Sequence, residues 1–179
     1  MRCRTVAMAI GALLSLTQFA AAQTVTKGAP DRAQVIKVAR EVMETARYCV
    51  LVTVGEKGQP QARVMDPFPP EADMTVWLAT NALSRKVGEI AKDSRVTLVY
   101  FDTSKMAYVT LVGTAGLVSD AAEKAKRWKE QWAALYKDRN RGDDYLLIRV
   151  RPARLEISAT GQGMINDPKT WKPVTLDLR

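Results

Sequence analysis

The chain has 179 residues, 47% of them hydrophobic and 26% charged, with 27 Lys and Arg against 19 Asp and Glu for a net charge of +8. That length holds one ordinary domain or two very small ones, and the composition excludes a disordered chain, a collagen-like repeat and a multi-pass membrane protein. There is no histidine, which removes histidine-assisted nucleophiles, histidine-ligated zinc or haem, and the usual proton shuttle near neutrality.

Met1-Arg2-Cys3-Arg4 is a short basic start, Val6–Leu16 is apolar, and Ala20-Ala21-Ala22-Gln23 closes the stretch with small residues. This is the layout of a secretory signal peptide cleaved after Ala22. The apolar stretch is short for the alternative, a retained membrane anchor. The expected organisation is a signal at 1–22, a domain at 23–158 and a C-terminal tail at 159–179, in a periplasmic or secreted protein. Removal of the signal takes Cys3 with it and leaves Cys49 alone, so no internal disulfide forms. Cys49 lies in the apolar run Tyr48–Val54 and reads as a buried core thiol rather than a nucleophile.

After the signal, Asp31 is placed to cap a helix in which Val35, Ile36, Val38, Ala39, Val42, Met43 and Ala46 recur at helical spacing. A strand follows at Tyr48–Val54, a turn at Glu56-Lys57-Gly58, and a returning strand at Gln59–Met65 with alternating polarity. Asp66-Pro67-Phe68-Pro69-Pro70 ends the ladder, because three of its five residues lack an amide donor. Further strands are predicted at Met74–Thr80, Val96–Phe101, Ala107–Val118 and Tyr145–Ser158, with a short helix at Ser84–Lys92. Asp120 is read as the cap of a third helix that carries Trp128, Trp132, Leu135 and Tyr136 on one side, the tryptophans packing on the barrel. Lys124, Lys126, Arg127 and Lys129 read as its solvated face. In the last strand Arg149 and Arg151 are expected on one face and Arg154 on the other. Six strands, mostly in hairpin order, predict a mainly β chain with helices (α+β) built on an antiparallel sheet closed into a small barrel. A doubly wound parallel fold would need helices between most strands. No dinucleotide fingerprint and no Walker loop is present, and Glu41 and Glu44 find no partner at metal-ligand spacing.

The chemistry concentrates in Thr80-Asn81-Ala82-Leu83-Ser84-Arg85-Lys86, where a strand ends and a helix begins. A helix start offers unpaired N–H groups and a partial positive charge to an anion. Ser84 adds a hydroxyl, Arg85 and Lys86 add two full charges, and Arg63 on a nearby strand can supply a third cation. The alternative reading of the same residues is a solvated basic helix start.

Trp77-Leu78-Ala79-Thr80-Asn81, Ser84-Arg85-Lys86 and Arg95–Phe101, together with Gly58-Gln59-Pro60-Gln61-Ala62-Arg63, resemble the pyridoxamine 5′-phosphate oxidase-like family of FMN-binding split barrels, in its general-stress-protein branch. The resemblance covers roughly residues 31–158. It implies a six-stranded antiparallel split barrel, FMN as cofactor, and a homodimer with flavin at the interface. It further implies phosphate binding by Arg85 and Lys86 with Ser84 beside them, and contact of Arg63 with the flavin. Val64 and Met65 would offer backbone groups to the isoalloxazine edge, Thr80 would lie near the ribityl chain, and Tyr108 stands where many members have a glutamine. Two departures argue against vitamin B6 oxidation: Phe68 stands where the true oxidases have a substrate lysine, and the chain lacks their C-terminal histidine. The implied function is two-electron oxidation or reduction of an unidentified small molecule. The alternatives are a non-enzymatic flavin or small-anion binder, and an exported basic module for anionic polymer or lipid. No metal and no nucleic acid is expected.

Overall fold

The computed structural model describes residues 30–136 and 142–179; the expected signal segment 1–22 lies outside them. Helix α1 (Arg32–Ala46) buries Val35, Val38, Ala39, Val42 and Met43, the apolar stripe of its sequence. Asp31 serves its start through its backbone carbonyl, which accepts from the Val35 amide at 2.9 Å, and not through its side chain. Strands β1 (Cys49–Val54), β2 (Pro60–Met65), β3 (Val76–Asn81), β4 (Arg95–Asp102), β5 (Ala107–Val118) and β6 (Tyr145–Ser158) pair antiparallel in the order β2-β1-β4-β5-β6-β3. Strand β7 (Val174–Asp177), inside the expected tail, adds to β6 and makes the sheet seven-stranded.

The sheet curls around α1 until its two edges approach each other. Pro67, just past β2, bridges to Leu78 of β3, and the Phe68 amide donates to the Trp77 carbonyl at 2.9 Å. The prolines on either side of Phe68 stop this contact from spreading into a ladder, so the barrel stays split. One core lies inside it, formed by α1 with Leu51, Leu98, Leu111, Val150, Leu155 and Ile157. A second, aromatic cluster of Trp77, Trp132 and Tyr145 packs with Phe68, Trp128 and Tyr136. Both helix tryptophans therefore pack against the barrel, as the sequence suggests.

Helix α3 (Ala121–Lys126) is shorter than its pattern predicts, and a separate 3₁₀ turn at Glu130–Ala134 carries Trp132. Arg127 is the reason. It is not solvated but 6% exposed, with its guanidinium 3.7 Å from the Trp77 ring centroid and ion-paired to Glu71 at 2.5 Å and to Glu123. Bringing that charge onto Trp77 takes its backbone out of the helix (φ −115°, ψ 63°), so Leu135 faces solvent. Lys129, also expected to be solvated, pairs with Asp66 at 2.8 Å.

The last strand corrects a second expectation. The register of β5 against β6 shifts between Val112 and Gly113: Arg154 faces Val112, Pro152 faces Gly113, and Ala153 is the extra residue. The buried positions of β6 accordingly change from Ile148 and Val150 to Leu155 and Ile157. The bulge thus turns Arg154 to the same outer side as Arg149 and Arg151. Only glycine fits opposite it, since a Cβ on Gly113 would stand 2.1 Å from the Arg151 carbonyl oxygen. Gly113→Ala is expected to cost about 3 kcal/mol, because backbone must move to relieve the overlap, and to lower Tm by roughly 6–12 °C in a thermal melt. An unchanged Tm would refute the bulge.

Cys49 is 2% exposed in the floor of the barrel, and burial pushes its thiol up to about 12. It is expected to stay unlabelled by iodoacetamide at pH 8 in the native protein and to react on unfolding, as peptide mapping would show.

Candidate functional site

The β3–α2 connection is built for an exposed cation cluster. The Asn81 side chain accepts from the Leu83 amide at 2.8 Å and turns the chain out of β3. Ser84 then starts α2 (Arg85–Lys92) from an extended conformation (φ −70°, ψ 145°). Its hydroxyl lies 3.0 Å from that of Thr80 and does not cap the helix. The first-turn amides are thereby left without a side-chain acceptor, which is the condition for binding an external anion.

Three cations meet around this start. Lys86 donates to the Thr80 hydroxyl at 3.0 Å, and Arg85, 71% exposed at its side chain, pairs with Glu89 one turn on at 2.9 Å. Arg63 reaches the same carboxylate from β2 at 2.8 Å and donates to Thr53 at 2.6 Å, while Thr53 donates to Glu89 at 2.5 Å. Burial pushes the Glu89 carboxyl up. Hydrogen bonds from Thr53 and Arg63, with the charges of Arg63 and Arg85, more than offset this and hold it below its ordinary value. Partial burial, then the charge of Arg63, holds the Lys86 ammonium below the ordinary lysine range despite Glu89. Three cations share one carboxylate, so the cluster carries an excess of two positive charges. That matches a phosphate monoester dianion.

Space is available beside it. A cavity of about 810 Å³ is lined by Arg85, Gly88, Glu89 and the β1–β2 turn, and no atom lies within 4 Å of where a Gly88 Cβ would stand. Strand β2 is one of the two edges of the sheet, so alternate backbone groups along it have no ladder partner. Its Val64 is 69% exposed and Met65 packs on the main core.

The fold thus gathers Arg63, Thr80, Ser84, Arg85 and Lys86 at one place, with Val64 and Met65 adjoining on β2. Tyr108 is not among them. It lies on β5, three strands from β2 and so roughly 14 Å across the sheet, on the outer face opposite Phe101 and Ser158. Thr53 and Glu89 join the site without a motif to announce them. Glu89 was open to discovery as an acid four residues after Arg85; Thr53 is a lone polar residue at an inward position of an apolar strand. Among the described residues no three His, Cys, Asp or Glu side chains come together, and no helix is long and apolar enough to cross a membrane.

Solved structures with this architecture include a protein related to general stress protein 26 of Bacillus subtilis from Clostridium acetobutylicum. It shares 23% identity at a TM-score of 0.67 over 83% of this chain and 96% of that one. General stress protein 26 of Bacillus anthracis shares 22% identity at 0.61 over 69% and 93%. A pyridoxamine 5′-phosphate oxidase-related, FMN-binding protein of Nostoc punctiforme shares 16% at 0.58 over 84% and 98%. At these identities the likeness is one of fold. No curated protein matches the chain in sequence. The family model for pyridoxamine 5′-phosphate oxidase-like proteins matches residues 34–166. That span runs from the first turn of α1 to beyond β6 and takes in the whole cation cluster, and by it the chain belongs to the pyridoxamine 5′-phosphate oxidase-like family.

Proposed function

We propose that the protein binds FMN, with the phosphate held by Arg85, Lys86 and the start of α2, and that the bound flavin exchanges two electrons with a small molecule. The observation that carries this is the doubly positive excess of the Arg63–Arg85–Lys86–Glu89 cluster beside the free edge of β2. FMN, when bound, supplies the redox chemistry. The chain's own part is to grip the phosphate and to present backbone groups of β2 to the ring. Thr80 holds the Lys86 ammonium in place for the phosphate. Arg85 is the mobile member, since an exposed pair with Glu89 costs little to open.

A homodimer belongs to the same proposal. Burial alternation along β1, β4 and β5 places Tyr48, Phe101 and Tyr108 on the outer face, in line with Val64, Val50 and Val99. Tyr48 and Phe101 are about half exposed. An apolar sheet face of this kind is a surface for a second copy, which would bring a partner's Tyr108 toward the cradle of the first. Export through the basic and apolar N-terminal segment completes the proposal.

The test is a visible absorption spectrum after mixing with FMN and removing the excess, with riboflavin and inorganic phosphate run in parallel. Stoichiometric retention of FMN but not riboflavin, followed by reduction with a nicotinamide and reoxidation by an acceptor, is the expected result. Retained flavin inert to both would leave a binding protein. Phosphate binding without flavin retention would leave a small-anion binder, the reading the charge excess alone supports.

A further inference from the structure

The bulge in β6 gathers arginines on the outer face, in a groove that adjoins the cavity beside the cation cluster and shares Val54, Gly58 and Arg95 with it. Arg151 and Arg154 take successive outward positions, one on each side of Ala153. Arg95 joins them across the sheet, in register with Thr114 and through it with Arg151. Arg179 follows β7, whose Asp177 faces Arg154. These four line a groove of about 1050 Å³ floored by Val52, Val54, Val112 and Pro152.

Two of the four are neutralised: Arg95 by Asp93 at 2.6 Å and Arg154 by Glu156 at 3.0 Å. The side chains of Arg151 and Arg179 have no ion pair or hydrogen bond among the described residues, and Asp177 is the one acid in the lining. The groove is far larger than an inorganic anion needs and lies at the upper end of small-molecule sites. Its apolar floor suits a flat ring and its free guanidiniums suit a phosphate chain. The aromatic end of the outer face, at Tyr48 and Phe101, is six residues along β4 from Arg95, about 20 Å in a strand. A second copy can cover that end, whereas the arginine end would meet its own like charge across a twofold axis.

We infer that this groove is a second binding site, for a nucleoside di- or triphosphate, adjoining the flavin-phosphate cradle but built on Arg151, Arg154 and Arg179, which lie outside that cavity. The test is calorimetric titration of the full chain with ADP in the presence of saturating FMN, with flavin retention read separately by absorbance. One ADP per chain is expected, weakened at least tenfold in Arg151→Gln/Arg154→Gln and unchanged in Arg85→Ala/Lys86→Ala, with flavin retention unaffected by the first pair. Both arginines are exposed, so the first pair keeps the fold, and Arg179→Gln provides an independent loss of charge at the same groove. Absence of ADP binding overturns the proposal. So does binding lost in the Arg85/Lys86 pair but kept in the Arg151/Arg154 pair, which puts ADP in the cradle. Displacement of ADP by equimolar inorganic phosphate overturns it too, as does a change of molar mass in the Arg151/Arg154 variant without ADP binding, which makes the face a contact between copies. A chain that retains no flavin still permits the comparison of the two variants, so the two readings fail separately.

Discussion

Replacing Arg85 and Lys86 together with alanine lowers the affinity for FMN by at least about a hundredfold and leaves the melting temperature within a few degrees. Each side chain would give the phosphate a charge-assisted hydrogen bond, roughly 1.5–3 kcal/mol apiece, so the pair accounts for about two to four powers of ten in Kd. The fold hardly depends on either. The Arg85–Glu89 pair lies on an exposed helix face, where such a pair contributes about 0.3–0.5 kcal/mol. Lys86 gives up one bond to Thr80, which keeps its hydrogen bond to Ser84, and its removal relieves the repulsion from Arg63. Riboflavin, which has no phosphate, is expected to bind the variant and the wild type equally weakly. Calorimetric titration with both ligands checks this, and an FMN affinity unchanged in the variant would remove the cradle from α2.

The elements that the sequence yields best are those whose local pattern and tertiary role agree. The residues of β5 and β6 emerge with their observed limits because each is a long run rich in apolar and β-branched residues bounded by turn residues, and β5 alternates buried and less buried positions over its first half, as the pleat requires. The cation cluster emerges because its members are close in sequence and mark a strand-to-helix turn. What stays hidden depends on distant partners. Trp128, Trp132, Leu135 and Tyr136 have helical spacing, yet the helix stops where Arg127 is drawn to Glu71, far away in sequence. Val174 and Leu176 alternate over only four residues of β7, too short a pattern to separate from a tail. The side of Arg154 follows from a one-residue register shift, for which Gly113 and Pro152 are visible signals only once the two strands are known to pair there. Thr53 belongs to the site only through Arg63 and Glu89, a junction of β1, β2 and α2 that no local pattern marks.

Glu89→Gln tests that junction, and its two effects are expected to have opposite signs. At pH 7 the variant loses about 2–3 kcal/mol of stability, because Arg63, only 18% exposed at its side chain, is left without a counter-charge among two other cations. The pH dependence identifies the cause. Because the folded-state carboxyl of Glu89 titrates below its ordinary value, its contribution is complete above the unfolded value of about 4.3 and is lost as the pH falls through the folded one. The difference in Tm between wild type and variant should therefore be constant from pH 7 to about 5 and shrink steadily below about 4. Asp73 and Asp93 also titrate low, but they act in both proteins and cancel in the difference. FMN, meanwhile, should bind the variant several-fold more tightly, since the cluster's positive excess rises from two to three and Arg85 no longer has to leave Glu89 to reach the phosphate. A carboxylate that touched the ligand favourably would show the reverse, a loss of affinity along with stability. Thermal melts across that pH range and a flavin titration at pH 7 separate the two, and only stability lost with affinity gained fits Glu89 as the counter-ion that holds the cradle together while it is empty.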